Sequence, residues 1–248
     1  MLSISNDGAV TVVRIEHGKV NALDLELLQA ITEVFRTRRD EVIVLTGSGS
    51  AFSAGVDLRR LLDGGAAYVR QFVPALDDAF GAVFDHPRPV VAAVNGHAIA
   101  GGAVLAAACD VRLMSGGRIG VTELLVGVPF PSAALEIVRH VLGPAAVDNV
   151  LTGRTVDAAE AQRTGWVDDV VDPEVLLADA VARAETLARI PTGTYSITKD
   201  QLHRPANQLI DAGRPLDDER VLAGWLSTEV ADRISAYLQS LRSPRPSD

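Results

Sequence analysis

The stretch VVAAVNGHAIAGGA, residues 90–103, decides the fold class of this 248-residue chain. Its first five residues, Val90 to Val94, are all apolar and predict a short buried β-strand. Asn95 and Gly96 then predict a turn, and the pair Gly101-Gly102 opens a predicted helix. A buried strand that runs through a glycine turn into a helix is typical of layered α/β proteins.

The same order of strand, glycine-rich turn and helix occurs once upstream. The sequence VIVLT, residues 42–46, predicts a buried strand, and the segment over residues 47–55 is rich in glycine. A helix is predicted from about residue 66 to residue 85. A strand over residues 10–15 and a helix capped by Asp24 come before them. Strands that alternate with helices predict an α/β core.

The second half of the chain is predicted to be mainly helical. Asp157 and Glu160 form a D-x-x-E capping box for a short helix that Gly165 ends. Residues 166–171 predict one more strand. From Pro173 onward the pattern is almost entirely helical, with a last helical run from Ser227 to near Leu241.

The chain shows no low-complexity linker that would separate two folding units. We therefore divide it into a core over residues 1–190 and a helical segment over residues 191–248. The helical segment is expected to pack on the core or on a neighbouring subunit. Its tail, residues 243–248, is predicted to be disordered.

Composition limits the classes of function. The formal net charge of −9 argues against a nucleic-acid partner, because nucleic-acid surfaces need a basic field. No apolar run reaches the roughly 18 residues needed to cross a bilayer, and the first residues lack the features of a signal peptide. The single cysteine, Cys109, cannot form an intrachain disulfide. We therefore expect a cytoplasmic protein with no membrane partner.

The two glycine-rich turns are candidates for a binding site. They follow apolar strands, so free backbone N–H groups are expected at the edge of the sheet where α/β proteins usually bind ligands. If the turns are neighbours, one N–H from each can converge on a single oxygen and form an oxyanion hole. The alternative is that these glycines serve only turn geometry and close packing. Their spacing matches neither the dinucleotide-binding motif nor the phosphate-loop motif.

Other kinds of active site have little support. No G-x-S-x-G segment occurs, so an α/β-hydrolase is not indicated. Ser53 and His97 are the nearest to a nucleophile and its base, but nothing identifies a carboxylate that would orient them. The five histidines show no metal-ligand spacing, and neither a metal nor a separate cofactor is expected.

Glu123 is the candidate acid–base residue. It lies in the stretch IGVTELLVGVP, residues 119–129, which contains no other charged residue. A carboxylate among aliphatic neighbours is desolvated, which raises its pKa and makes it a better proton acceptor near neutral pH. A glutamate exposed on a surface loop is the alternative that the sequence leaves open.

Four segments resemble the motifs of the crotonase family, which is also called the enoyl-CoA hydratase/isomerase family. They are KVNAL at residues 19–23, AFSAGVDL at residues 51–58, AAVNGHAIAGG at residues 92–102 and CDVR at residues 109–112. Each motif is moderately specific, but the four occur in the order and spacing of the family. The resemblance continues through Glu123 and the short helix over residues 158–165, so it covers most of the chain.

The resemblance implies a fold and a ligand. The fold class is α/β, a crotonase-like spiral of ββα units with a helical C-terminal segment, usually assembled as a homotrimer or a dimer of trimers. The implied ligand is an acyl-CoA thioester, in which coenzyme A is part of the substrate. By motif match, its carbonyl oxygen accepts hydrogen bonds from the backbone N–H groups of Val56 and Gly101.

The residues that would bind coenzyme A are implied by the same motif match. They are Lys19, Ala22, Leu23, Ala54, Val56, Asp57, Leu58, Arg59, Gly101 and Lys199. Lys199 falls in the helix region where many family members place a lysine that contacts phosphate. The walls of the acyl pocket are expected from Leu61 to Phe80 and from Pro129 to Leu135.

One departure from the family pattern bears on the activity. Hydratases of the family carry two glutamates, and the first sits three residues after the second oxyanion donor, where this chain has Val104. A valine can neither move a proton nor orient a water. The segments at residues 100–105 and 122–127 resemble short-chain Δ3,Δ2-enoyl-CoA isomerases of mitochondrial type. In such an enzyme Glu123 would take a proton from C2 of a 3-enoyl thioester and return it at C4.

Three alternatives stay open. A hydratase could replace the missing glutamate from elsewhere, and Asp57 is the nearest carboxylate by motif, although the family uses it structurally. A non-catalytic homologue would bind the thioester and leave every enoyl isomer unchanged. A crotonase with other chemistry, such as thioester hydrolysis or decarboxylation, would use the same oxyanion hole.

Overall fold

Residues 1–240 of the chain are described by a computed structural model, and its strands form two sheets. In chain order the strands are β1 (Leu2–Asp7), β2 (Val10–Ile15), β3 (Val42–Gly47), β4 (Ala51–Ser53), β5 (Val90–Val94), β6 (His97–Ile99), β7 (Val111–Met114), β8 (Arg118–Gly120), β9 (Val156–Asp157) and β10 (Asp169–Val170). The larger sheet has the order β1-β2-β3-β5-β7-β10, and the smaller has the order β4-β6-β8-β9.

Helices cover both sheets and make up the C-terminal part of the described chain. They are α1 (Leu25–Thr37), α2 (Leu58–Phe84), α3 (Gly101–Ala107), α4 (Ser132–Leu142), α5 (Ala146–Thr152), α6 (Ala158–Thr164), α7 (Leu176–Ala188), α8 (Thr192–Trp225) and α9 (Thr228–Ser240). Two single 3-10 turns, Glu123–Val126 and Gly143–Ala145, connect them.

From β3 to β8, successive strands alternate between the two sheets, which confirms the expected spiral. β3, β5 and β7 pair in parallel in the larger sheet, while β4, β6 and β8 pair in parallel in the smaller one. The chain therefore runs β3-β4-α2 and then β5-β6-α3, so each ββα unit adds one strand to each sheet. β3 and β5 are buried along their whole length, as parallel strands between layers must be.

Most of the strong local signals are confirmed by the structure. Asp24 caps α1 by accepting a hydrogen bond from the backbone N–H of Leu27 at 2.9 Å, and Asp157 caps α6 by accepting one from Glu160 at 2.9 Å. Two predictions need correction. The strand predicted over residues 166–171 has only two paired residues, and the helix predicted from residue 66 begins eight residues earlier, at Leu58, with non-helical backbone at Gly65.

The short strands of the smaller sheet were not predicted individually. β4, β6 and β8 have three residues each, which is too short for an alternating pattern to be visible. The C-terminal helices pack against the core of the same chain, α8 on α4 and α9 on α2. No helix among residues 1–240 is both long and apolar enough to cross a bilayer. The predicted disordered tail, residues 243–248, lies outside the described residues.

A buried ion pair ties α8 to the larger sheet. The ammonium group of Lys199 lies 2.8 Å from the nearer carboxylate oxygen of Asp110, and the two side chains are 7% and 10% exposed. The Asp110 carboxylate also accepts a hydrogen bond from the backbone N–H of Val90 at 2.8 Å. Val90 begins β5 and Asp110 immediately precedes β7, so Lys199 lies at the amino ends of these strands.

Loss of the Lys199 charge alone should destabilise the fold. In Lys199→Met the Asp110 carboxylate stays buried without its cation, which typically costs about 3 kcal/mol or more. The double variant Lys199→Met/Asp110→Asn removes both charges and should recover a large part of that loss. Urea denaturation of the three proteins measures this coupling, and equal stability of the single and double variants would contradict it.

Candidate active site

Two segments that are well separated in sequence lie side by side at the site. The backbone N–H of Ala54 donates to the carbonyl oxygen of Val20 at 3.0 Å, and that of Leu23 donates to Gly55 at 2.7 Å. The N–H of Asp57 then donates to Leu23 at 2.9 Å. These bonds hold together the two segments that the motif match assigned to coenzyme A binding.

The backbone N–H groups of Val56 and Gly101 are free to bind a ligand. Leu23 bonds to the carbonyl oxygen of Gly55 and to the N–H group of Asp57, so the N–H group of Val56 takes no part in this pairing. Gly101 is the first residue of α3, where a helix has no internal acceptor for the N–H. Within residues 1–240, neither N–H has a hydrogen-bond acceptor.

The two loops that carry these N–H groups are in direct contact. A Cβ atom on Gly55, whose φ is +80°, would lie 2.6 Å from the carbonyl oxygen of Ile99 and 3.4 Å from the nitrogen of Gly101. A side chain therefore cannot be placed at position 55. Ala100, just before α3, has a φ of +52°, a conformation that costs energy for a residue with a Cβ atom and that often marks functional sites.

Glu123 begins a 3-10 turn, and its side chain is buried. The residue is 7% exposed, and its Oε2 atom has no hydrogen-bond partner among the described residues. Burial raises the pKa of Glu123 from an ordinary value of 4.5 to about 7, although the backbone N–H groups of Glu123 and Thr122 act to lower the pKa. No cation compensates the carboxylate within the described part of the chain. The alternative of an exposed loop glutamate is therefore excluded.

Glu123 opens into a cavity of about 290 Å³ next to the two glycine loops. Apolar side chains and backbone line most of it, and Glu123 is the only carboxylate among the described residues that line it. The lining residues are Ala54, Val56, Leu58, Ile99, Ala100, Thr122, Glu123, Leu125, Val126, Val128, Thr155, Trp225 and Tyr237. The cavity therefore combines a carboxyl group of raised pKa with a loop that carries a free amide.

Several of the predicted binding residues lie at this cavity and others lie beside it. Ala54, Val56 and Leu58 line the cavity, whereas Lys19 and Arg59 are exposed and do not line it. Ala22 is half-buried, and Leu23 is fully buried. The contacts of these residues with coenzyme A stay predictions.

Asp57 has a structural role. One of its carboxylate oxygens accepts hydrogen bonds from the backbone N–H groups of Arg59 at 3.0 Å and Arg60 at 3.1 Å. The residue therefore caps α2, and it does not line the Glu123 cavity. Asp57 is accordingly a poor substitute for a second catalytic glutamate.

Ser53 and His97 do not form a nucleophile–base pair. The hydroxyl group of Ser53 is fully buried and donates to the carbonyl oxygen of Asn21 at 2.7 Å. The ring of His97 accepts a hydrogen bond from the backbone N–H of Arg118 at 3.2 Å. Among residues 1–240, no three or more histidine, cysteine, aspartate or glutamate side chains are grouped to hold a metal ion.

Lys199 does not join the site within this chain. It lies at the amino end of β5, paired with Asp110, whereas the Glu123 cavity is lined by residues at the carboxyl ends of β4 and β6. The contact of Lys199 with a phosphate of coenzyme A was predicted from the helix region alone. The buried ion pair leaves its ammonium group little freedom to bind a ligand of the same subunit.

The predicted walls of the acyl pocket lie outside the Glu123 cavity. Residues 61–80 and 129–135 are absent from the lining of the Glu123 cavity. The first group instead lines a neighbouring cavity, and the second lines a larger groove of about 740 Å³ that holds neither Glu123 nor the free amides. The walls that the sequence reasoning missed are Trp225 and Tyr237, which α8 and α9 bring to the site from the far end of the chain.

Val104 occupies the position where hydratases of the family have their first glutamate. Its side chain is completely buried in the hydrophobic core and does not line the cavity. A second acid–base group is thus missing from α3. Among the described residues that line the cavity, Glu123 is left as the single carboxylate.

Comparison with known proteins identifies the family. The sequence profile described as enoyl-CoA hydratase/isomerase matches residues 5–238. A Thermus thermophilus protein provisionally named an enoyl-CoA hydratase is 40% identical over 182 residues, which are 72% of each chain. The names of the curated relatives are mostly those of hydratases.

Solved structures show the same fold. The human mitochondrial Δ3,Δ2-enoyl-CoA isomerase has a TM-score of 0.91 over 97% of this chain and 98% of its own, at 23% identity, which is a likeness of fold. A Mycobacterium tuberculosis enoyl-CoA isomerase has a TM-score of 0.77 at 30% identity, over 86% of this chain and 95% of its own. Another structure of that mycobacterial protein is named a probable enoyl-CoA hydratase.

Burial of Glu123 should make the stability of the protein depend on pH. Its pKa is higher in the folded state, about 7, than its ordinary value of 4.5. The folded state therefore holds this proton more tightly, and stability is lost as the pH rises from 4.5 to 7. Glu123→Gln is neutral throughout, so it should gain about 3 kcal/mol relative to the wild type between pH 4.5 and about pH 8.

Urea denaturation at both pH values, with exposed Glu174 changed to glutamine as the matched control, measures this gain. The Glu174→Gln protein should follow the wild type. If the free energy of unfolding of Glu123→Gln differed from that of the wild type by the same amount at both pH values, the pKa of Glu123 would not be raised in the folded protein.

Proposed function

Because this chain belongs to the enoyl-CoA hydratase/isomerase family, we propose that it moves the double bond of an enoyl-CoA thioester from position 3 to position 2. The observation that carries the proposal is the buried carboxyl of Glu123, which shares a cavity with the Val56 loop and is the one carboxylate among the described residues that line it. Hydration places a hydroxyl group and a proton on two carbons, and family hydratases use two glutamates for it. Movement of a double bond needs one group that removes a proton and then returns it.

The proposed reaction begins with removal of a proton from C2. The Glu123 carboxylate takes the C2 proton of a 3-enoyl thioester, and the electron pair of that bond delocalises over C2, C4 and the thioester oxygen. The free N–H groups of Val56 and Gly101 would donate to this oxygen as its negative charge develops. Each such donor contributes about 3 kcal/mol to the stability of a transition state of this kind.

The reaction ends with return of the same proton to C4. The carboxylic acid formed on Glu123 gives up its proton there, the double bond moves to position 2, and the carboxylate is regenerated. A pKa of about 7 for Glu123 supports both halves of the cycle, because an acid–base group works best when its pKa is near the working pH. The energetic contribution of general acid–base catalysis is typically on the order of 10²–10⁴-fold in rate.

The proposal also covers assembly and location. The exposed apolar side chains on the C-terminal half, which include Leu151, Leu202 and Leu216, suit a homotrimer or a dimer of trimers, the assembly usual in the family. We keep a cytoplasmic location as a proposal, on the composition alone.

Separate incubations with 3-hexenoyl-CoA and 2-hexenoyl-CoA test the proposed reaction. The first substrate should give the conjugated 2-enoyl product, with a gain in thioester absorbance, and the second should not be hydrated. Glu123→Gln should still bind the thioester but turn over at least about 10²-fold more slowly. Conversion of 2-hexenoyl-CoA to a hydroxyacyl product would instead favour the hydratase activity for which the curated relatives are named.

The rate should follow the ionisation of Glu123. Only its carboxylate can accept the C2 proton, so kcat/KM for 3-hexenoyl-CoA should rise with pH and level off above about pH 7. A stopped-flow or steady-state pH series on the wild type measures this rise of kcat/KM with pH. A flat profile between about pH 5.5 and pH 8.5 would remove Glu123 from the proton-transfer step.

A further inference from the structure

Trp225 separates the Glu123 cavity from a second, smaller cavity. Among the described residues, it is the only one that lines both. The second cavity, of about 110 Å³, lies between the start of α2, the end of α8 and α9. Its lining has no charged side chain and consists of Leu61, Leu62, Gly65, Ala66, Val69, Trp225, Leu226, Ser227, Val230, Ala231 and Ile234.

The indole ring of Trp225 is held firmly in this position. Its N–H group donates to the carbonyl oxygen of Pro129 at 2.9 Å, and its ring centroid lies 6.0 Å from that of Phe72. The neighbouring Gly224 has no room for a side chain, because a Cβ atom there would be 2.9 Å from the Pro129 ring. The backbone and the ring of this segment are therefore both fixed, and Trp225 is only 5% exposed.

We propose that Trp225 is the residue that limits the length of the acyl chain that this protein accepts. This rests on the proposed function, because it takes the Glu123 cavity as the place where the acyl group binds. The carboxyl of Glu123 and the indole of Trp225 lie on the lining of the same cavity. A chain that starts at the thioester beside Glu123 and grows toward α8 meets the indole, and the apolar space behind it stays closed.

The chemistry of the second cavity matches that of a longer acyl tail. Leu61, Val69 and Ile234 offer aliphatic surface, and a methylene group that enters such surface from water gains about 0.8 kcal/mol. This corresponds to about a fourfold gain in affinity for each added carbon. Removal of the indole would join the two cavities and let the tail reach this surface.

A series of saturated thioesters, butyryl-, hexanoyl-, octanoyl- and decanoyl-CoA, tests the proposal by isothermal titration calorimetry. With the wild type, affinity should rise with chain length and then stop rising or fall. With Trp225→Ala it should continue to rise by about fourfold per carbon beyond that point. Trp225→Phe, the matched control, keeps an aromatic wall, so its affinity should stop rising at about the same chain length as that of the wild type.

A second substitution checks that the gain comes from the space behind the indole. Ala231→Leu fills the second cavity, so in the Trp225→Ala background it should remove the gain for the longer thioesters. If Trp225→Ala does not fold, as judged by circular dichroism, Trp225→Leu takes its place, because it also removes the indole but loses less packing. The wild-type series is also a test by itself. Affinity that rises steadily through decanoyl-CoA would show that Trp225 does not limit the chain length.

The outcomes distinguish this inference from the proposed function. Identical chain-length profiles for the wild type and the opened variants would overturn the role of Trp225 while leaving the reaction at Glu123 intact. Absence of binding of every acyl-CoA to the wild type would overturn both. Normal binding without isomerisation of 3-hexenoyl-CoA would overturn the reaction alone.

Discussion

The buried carboxyl group of Glu123, to which residues 1–240 offer no compensating cation, is the constraint on which the rest of the site depends. Desolvation of a carboxylate is costly unless a cation or several hydrogen bonds compensate it. Here the backbone N–H groups offset only part of that cost, and the pKa of Glu123 stays at about 7. The fold therefore carries a group that is unfavourable for stability in its charged form. Such a group is useful where a proton has to be both accepted and released.

The polypeptide backbone supplies the complementary feature. The two ββα units place the loops after β4 and β6 in contact, and Gly55 allows that approach because any side chain there would strike the Ile99 carbonyl oxygen. The N–H group of Val56 is free because the bonds to Leu23 come from the residues on either side of it. The N–H group of Gly101 is free because Gly101 is the first residue of α3. Preorganised donors of this kind need no rearrangement when negative charge develops on a ligand.

Local sequence signals predicted the scaffold better than the walls of the site. The buried strands and the caps Asp24 and Asp157 follow from patterns within a few residues, whereas the adjacency of the glycine loops was left open. The burial of Glu123 was expected from its aliphatic neighbours, yet Leu124 and Leu125 are themselves 37% and 64% exposed. Glu123 is covered by tertiary packing, which its neighbours in sequence do not reveal.

Residues that arrive from far along the chain were outside the reach of those signals. Trp225 and Tyr237 line the cavity because α8 and α9 fold back onto α4, α2 and the Glu123 turn, and no motif marks either residue. Lys199 was predicted to contact the ligand from its helix region. Within this chain it neutralises Asp110 at the amino ends of the strands, a role that only the register of β5 and β7 makes visible.

Under the proposed function, the residues for the reaction and those for substrate specificity come from different parts of the chain. The loops and Glu123 lie in the part of the chain that carries the family motifs, and they fix where a thioester oxygen and an acidic carbon would be held. The far wall comes from helices that carry no such motif and that hold Trp225 by one hydrogen bond and aromatic packing. A change in that wall alters the space for a substrate without moving the carboxyl or the amides. Under the proposed function, the C-terminal helices of this chain therefore shape the space for the acyl group, while the loops and Glu123 form the proton-transfer site.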